Sequence, residues 1–315
     1  MTTFNAIDRR SFLKTAVGAA ALAALPPFAS GANPPAPGSF DFVFFTDTHI
    51  EPELDASHGC DLAFAKIAKL KPDFAIMGGD HVYDANAVDA DRARTVFDLY
   101  KKSEQVLQMP LHHTIGNHDT FATNEKSGIA TSDPSYGKKM FEDRIGRTYY
   151  SFDHKGYHFV ILDSIQPTED RQWEARIDEK QLAWLADDLR KTGPQTPIIA
   201  STHVPLVSAF PTYASDYAPN GDKYSRATIA NTPEVLAAFE GHNVLAVLQG
   251  HMHINESAQY KGIQFLTCGA VCGNWWHGPR MGLPEGFTVV SLHAGKLSTR
   301  YEASGFHSVD IREKF

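Results

Sequence analysis

Cysteine is scarce, with three residues in 315: Cys60, Cys268 and Cys272. An odd and dispersed set is no disulfide framework, and the lack of clustered thiolates argues against an iron–sulfur or other soft-metal centre. Cys268 and Cys272 could bridge, but the Gly-Ala-Val between them reads as a strand end, which favours buried thiols. Positive charge is also short, 29 Lys+Arg against 37 Asp+Glu for a formal charge of −8. With no basic block, binding to a nucleic-acid polymer through its phosphates is not expected. No apolar run reaches the ~20 residues of a membrane-spanning helix, so no stable span is expected in the mature protein. Repeats and low-complexity stretches are missing too. What is there, 43% hydrophobic and 21% charged, suits one large globular domain that can bury its core without staples. A metal bound here would therefore serve chemistry rather than folding.

The N-terminus carries an address. Asp8-Arg9-Arg10-Ser11-Phe12-Leu13-Lys14, followed by an Ala/Gly-rich run from Thr15 to Leu25, resembles a twin-arginine export signal. Ser30-Gly31-Ala32 offers a small-residue cleavage site. Residues 1–32 are thus expected to be a signal peptide, 33–39 a Pro-rich start of the mature chain, and 40–315 one domain. The resemblance implies passage through the twin-arginine translocation machinery and a periplasmic or other extracytoplasmic location. Such carriers normally travel folded, often with a cofactor already inserted.

Short apolar runs recur at Phe40–Phe45, Asp73–Met77, Leu111–Ile115, Tyr157–Leu162, Pro197–Ser201 and Val244–Leu248, the pattern of strands buried on both faces. Helical patterns fall between several of them: Leu62–Leu70, Arg92–Leu107, Glu179–Leu189 and Pro233–Glu240. Alternation of this kind predicts an α/β fold. Three further strands, Gln264–Thr267, Phe287–His293 and Leu297–Tyr301, follow without long helices and suggest a second, partly antiparallel sheet packed on the first. Thr120–Met140 and Leu206–Ala230 read as long functional or mobile loops.

The informative feature is what ends each strand. Asp47 and His49 follow the first, Gly79-Asp80 the second, Gly116-Asn117-His118-Asp119 the third, His203 a later one, and Gly250-His251-Met252-His253 the next. In an open α/β sheet the carboxyl ends of the strands are where ligands bind, so residues spread over 200 positions converge on one edge. Carboxylate, imidazole and amide donors suit Mn, Fe, Zn, Co or Ni. Seven such donors exceed one tetrahedral zinc but suffice for two ions about 3.5–4 Å apart sharing a carboxylate. Gly79, Gly116 and Gly250 permit tight turns beside them. Asp47 and Asp80 also have the plainer reading of helix N-caps.

These five blocks, in this order across residues 40 to 255, resemble the calcineurin-like metallophosphoesterase superfamily. The resemblance implies a four-layer α/β/β/α sandwich of two mixed sheets with a dinuclear centre at one sheet edge, occupied by two divalent or trivalent ions (Mn, Fe, Zn or Co). Carried over position by position, Asp47, His49 and His253 would hold one ion, Asn117, His203 and His251 the other, and Asp80 would bridge. His118 would stabilise the transition state or protonate the leaving oxygen, with Asp119 orienting it. The implied reaction is attack on a small-molecule phosphoester by hydroxide held between the ions. A phosphodiesterase acting on cyclic nucleotides or related diesters leads; a broad phosphomonoesterase of the acid-phosphatase kind, and a catalytically silent scaffold used for binding, are the alternatives.

Two features stand apart from that pattern. Tyr83 in Gly79-Asp80-His81-Val82-Tyr83 resembles the tyrosine ligand of purple acid phosphatases, yet His49 occupies a position where those enzymes carry glycine. A packing role is its other reading. Trp275, Trp276, His277 and Arg280 lie in a Gly/Pro-rich loop after the last ligand block, where the indoles offer a stacking face and the cations a phosphate contact. Core packing is the alternative for both tryptophans.

Overall fold

The computed structural model describes residues 37–214, 223–293 and 295–312; the expected signal peptide lies outside them. Phe40–Phe45 (β1), apolar except for Asp41, shows why such a run forms a strand here. Phe42 and Phe44 project to one face, Val43 and Phe45 to the other, and all four are fully buried. One face meets a second sheet and the other meets helices, so both must be apolar.

Two helices follow in the first half of the chain, Ala56–Leu70 (α1) and Ala90–Ser103 (α2), with Ala75–Met77 (β2) between them and Leu111–His113 (β3) after. A short helix, Lys139–Arg144 (α3), precedes Tyr150–His154 (β4) and Tyr157–Ile161 (β5). A hairpin of Ile165–Pro167 (β6) and Trp173–Ala175 (β7) leads to Glu179–Thr192 (α4), Ile198–Thr202 (β8), Thr232–Phe239 (α5) and Val244–Gln249 (β9). The chain closes with Glu256–Tyr260 (β10), Ile263–Thr267 (β11), Gly286–His293 (β12) and Lys296–Ala303 (β13).

The first sheet runs β13-β12-β1-β2-β3, with β1, β2 and β3 parallel and β12 antiparallel to β1. The second runs β10-β11-β9-β8-β5-β4, parallel through β11, β9, β8 and β5. Phe42, Phe44, Phe74 and Ile76 of the first sheet pack with Phe159, Ile199 and Leu248 of the second in one buried cluster. Buried residues of α1 and α2 join Val43 and Phe45, and those of α4 and α5 join Val160 and Val247. The order of layers is therefore α/β/β/α, as the resemblance implied.

The tail strands differ from the sequence expectation. They form no sheet of their own: β12 and β13 extend the first sheet, while β10 and β11 extend the second. Strands added beyond the parallel core of a sheet carry the same apolar alternation as a separate sheet, so the pattern cannot choose between them. Helix α1 begins at Ala56 rather than Leu62 because its first buried positions are Ala56, Gly59 and Cys60, too small to signal an apolar face. Helix α2 ends at Ser103, followed by a 3₁₀ turn over Glu104–Val106. Its N-terminus is set by Asp89, whose carboxylate accepts from the Asp91 and Arg92 amides.

Candidate metal centre

Six of the seven predicted donors, Asp47, His49, Asp80, His203, His251 and His253, come together at the carboxyl ends of β1, β2, β8 and β9, while Asn117 follows β3 with its Oδ1 buried. Backbone hydrogen bonds lace these strand ends: Asp47 N to Gly79 O (2.9 Å), His49 N to Asp80 O (3.1 Å), Gly250 N to His203 O (2.9 Å) and Cys272 N to Asp47 O (3.1 Å). Asp47, His49, Asp80, His251 and His253 all hold positive φ, between 37° and 71°. Side-chain-bearing residues rarely adopt that region, and its concentration at one edge is strain that the surroundings enforce. Gly116 is required for close approach, since a Cβ there would lie 2.1 Å from Asp80 Oδ1 and 2.2 Å from Asp80 N.

Each carboxylate is split between the protein and the centre. Asp47 Oδ2 accepts from Thr46 Oγ1 (2.6 Å) and the His251 amide (3.0 Å). Its Oδ1 makes no hydrogen bond and lies 3.2 Å from His253 Nε2 and 3.7 Å from His49 Nε2. Asp80 Oδ1 accepts from the His118 amide (2.8 Å), while Oδ2 sits 3.1 Å from His203 Nε2 and 3.5 Å from His49 Nε2.

Three of the histidines are fixed from behind. His203 Nδ1 donates to Gly78 O (2.9 Å), His253 Nδ1 to Gly273 O (2.7 Å) and His251 Nε2 to Arg226 O (3.0 Å). A ring that gives its proton to a carbonyl presents a lone pair at its other nitrogen. For His203 and His253 that lone pair faces a carboxylate oxygen, an arrangement favourable only with positive charge between them. Asp47 Oδ1, both His49 nitrogens, Asn117 Oδ1 and His203 Nε2 are buried without a hydrogen-bond partner. Buried polar atoms left unsatisfied are costly. The residues therefore fit a pair of cations: Asp80, His203 and His251 bring their ligand atoms within 4.8 Å of one another, as do His49 and His253 together with the Cys272 thiol.

The buried charges act on one another strongly. Burial raises the Asp47 and Asp80 carboxyls, but the surrounding imidazoles outweigh it, His253 and His203 for Asp47 and His203 and His118 for Asp80, and hold both below the usual carboxylate range. Burial pushes His251 down to about 3, with His203 adding to the effect, and lowers His49 too. Burial opposes charge on His203, yet Asp80 and Asp47 carry it up to about 9, so a proton on Nε2 is what a cation at this position would displace.

His118 is near the donors but more open, with 23% of its side chain exposed. Asp119 does not face it. The Asp119 carboxylate is consumed by the amides of Asp80 (3.0 Å), His81 (2.8 Å) and Gly116 (2.9 Å) and by His81 Nδ1 (2.8 Å). Asp84, which the sequence reading missed, lies 3.8 Å from His118 Nδ1. Burial lowers the His118 pKa, but Asp80, Asp84 and Asp119 outweigh it and bring it to about 9. The expectation for Asp119 is corrected: it ties the β2 and β3 loops together.

The tryptophan loop divides. Trp276 is fully buried, donates Nε1 to His49 O (3.0 Å), and packs so tightly that a Cβ on Gly59 would lie 2.1 Å from its ring. It supports the centre from beneath and is no substrate contact. His277 Nδ1 lies 3.0 Å from Asp310 O and anchors the C-terminal segment instead. Trp275 does line the centre, its ring 4.6 Å from that of His253, with the buried Arg280 guanidinium 5.5 Å from the indole centroid. A matching pair went unnoticed in the sequence: Trp173, edge-on to His251 at 5.8 Å, with Arg226 5.6 Å from its ring. Arg226 lies in the long loop flagged for length, but no motif marks it. Cys60, Cys268 and Cys272 are free and buried.

Fold and site together define a metallophosphoesterase, a metal-dependent hydrolase of phosphoric esters. The calcineurin-like phosphoesterase family model matches residues 40–255, and the chain belongs to that family. It is 26% identical over 233 residues to serine/threonine-protein phosphatase CPPED1 of Bos taurus, covering 73% of this chain and 67% of that one. It is also 26% identical over 203 residues to a cAMP/cGMP dual specificity phosphodiesterase of Mycobacterium tuberculosis, covering 64% of this chain but only 55% of the relative. A dimetal phosphatase from Danio rerio shares the fold, with a TM-score of 0.62 at 15% identity over 87% of this chain and 99% of that one.

Proposed function

We propose that the chain hydrolyses phosphodiesters such as cyclic nucleotides, with Asp47, His49 and His253 holding one ion, Asn117, His203 and His251 a second, and Asp80 bridging. One observation carries the two-ion reading: Asp80 Oδ2 lies between His49 Nε2 and His203 Nε2, at 3.5 and 3.1 Å, while its partner oxygen is held by an amide. Mn, Fe, Zn and Co all match these donors. Bound cations there supply charge neutralisation for the phosphoryl oxygens and a nucleophile available near neutral pH.

The chain's own residues complete the reaction. As an oxygen from water joins phosphorus, the P–O bond to the leaving group breaks and its electron pair stays on the departing oxygen. His118 delivers a proton to that oxygen, and water's surplus proton passes to solvent. Asp84, 3.8 Å from Nδ1, is placed to orient the imidazole for that transfer. The diester preference takes its support from the mycobacterial relative's name. The bovine relative's name favours a second reading, a phosphomonoesterase. Initial rates of the Mn-loaded chain on bis(p-nitrophenyl) phosphate and p-nitrophenyl phosphate separate the two, with Asn117→Ala as control. A diester rate well above the monoester rate supports the first reading, and the reverse ratio the second.

Export through the twin-arginine machinery to the periplasm belongs to the same proposal, supported by Arg9-Arg10 and the apolar run behind them. Arg9→Lys together with Arg10→Lys should leave the chain in the cytoplasm; unchanged export would refute it.

A further inference from the structure

Tyr83 stands at the mouth of the centre with a face that nothing in the proposed chemistry uses. Val82 and Ala85 beside it are fully buried, yet Tyr83 is 40% exposed. Its ring lies nearly parallel to that of His118, 26° and 5.7 Å apart, and edge-on to His49 at 5.9 Å. The backbone holds it in place on both sides: Tyr83 N donates to Ile50 O (3.0 Å) and Ala85 N to His118 O (2.9 Å). Asp84 is fixed in turn by accepting from the Asn86 amide (2.6 Å). The ring is thus positioned before any substrate arrives, and no ordering cost falls on binding. Trp275 approaches the same His49 ring at 6.2 Å, so both aromatic rings border His49.

A leaving group that takes its proton from His118 must touch that imidazole. Because the Tyr83 ring lies nearly parallel to that of His118, a flat leaving group aligned with the His118 plane also meets the exposed Tyr83 ring close to parallel. We propose that Tyr83 is the stacking platform for the leaving group, favouring phosphoesters whose departing alcohol carries a phenyl ring or a nucleobase. This rests on the phosphoesterase reading and names the substrate class within it. Tyr83 acts through its ring and not its hydroxyl, so phenylalanine serves as well as tyrosine.

The experiment compares wild type, Tyr83→Leu and Tyr83→Phe as Mn-loaded full chains. kcat/KM is measured for an aryl and an alkyl ester of each kind: bis(p-nitrophenyl) phosphate against glycerophosphoethanolamine, and p-nitrophenyl phosphate against glycerol 3-phosphate. Calorimetry with phenylphosphonate and methylphosphonate supplies a readout independent of turnover. Tyr83→Leu should reduce the aryl-to-alkyl ratio of kcat/KM roughly five- to tenfold, the size of one aromatic stacking contact. The phenyl-to-methyl affinity ratio should fall by a similar factor, and Tyr83→Phe should preserve both. Unchanged ratios in Tyr83→Leu, or equal losses in Tyr83→Phe, overturn the platform. Failure of wild type to hydrolyse any of the four esters overturns the phosphoesterase reading instead, and is distinguishable from either.

Discussion

At the scale of single residues, the site separates two aspartates that the G-N-H-D block alone cannot. Asp84 faces His118, whereas Asp119 gathers three backbone amides and His81. Replacing His118 by Ala should lower kcat on the order of 10²–10⁴-fold with metal content unchanged, as for loss of a general acid. Asp84→Asn should lower kcat by about tenfold without moving the melting temperature. Asp119→Asn should do the opposite, costing about 2–4 kcal/mol in urea unfolding through its charge-assisted hydrogen bonds. A stable Asp119→Asn protein with kcat reduced as in His118→Ala would restore Asp119 as the partner of His118. The candidate donors were legible because each follows a strand as a polar block. Asp84, Trp173 and Arg226 were not, since their roles arise from contacts across the chain, such as Arg226 O with His251 Nε2.

At the scale of elements, the strand cores were legible from apolar runs and the boundaries were not. β1 matches its expectation residue for residue, because the run that buries both faces is also the hydrogen-bonded segment. β4 and β10 escaped notice: both are edge strands with mostly polar, half-exposed sequences, Tyr-Ser-Phe-Asp-His and Glu-Ser-Ala-Gln-Tyr. Pairing along one edge gives them order that their own patterning does not announce. The cohesion of the two sheets rests on rings between them, with Phe42 stacked on Phe74 at 4.9 Å and edge-on to Phe159 at 5.5 Å. Phe42→Ala should therefore destabilise by about 3–5 kcal/mol, the usual cost of a large cavity. Urea denaturation checks it, and a loss under about 1 kcal/mol would mean that the sheets close over the gap.

At the scale of the whole molecule, the site exists only because the two sheets present their parallel strand ends at a common edge: β1, β2 and β3 from one, β8 and β9 from the other. Which sheet the tail strands join was invisible to periodicity, yet the loop between β11 and β12 is tied to the centre, as Cys272 N to Asp47 O shows. Far from this edge, His158 at the start of β5 contacts Asp153 (2.7 Å) and Asp188 (2.9 Å). Burial lowers its pKa, but the two carboxylates outweigh it and raise it above the ordinary 6.5. A raised histidine stabilises the fold fully below the unfolded value, and the gain is lost as pH rises through the folded value. The melting-temperature advantage of wild type over His158→Gln should accordingly shrink between pH 6 and pH 9; an advantage that grows with pH would refute this. The central claim, that Asp80 bridges two ions, is tested most directly by anomalous diffraction from crystals of the Mn-loaded chain. The account predicts two peaks about 3.5–4 Å apart, one beside His49 and His253 and one beside His203 and His251, with Asp80 Oδ2 bound to both. A single peak, or two peaks that leave Asp80 unbound, would contradict it.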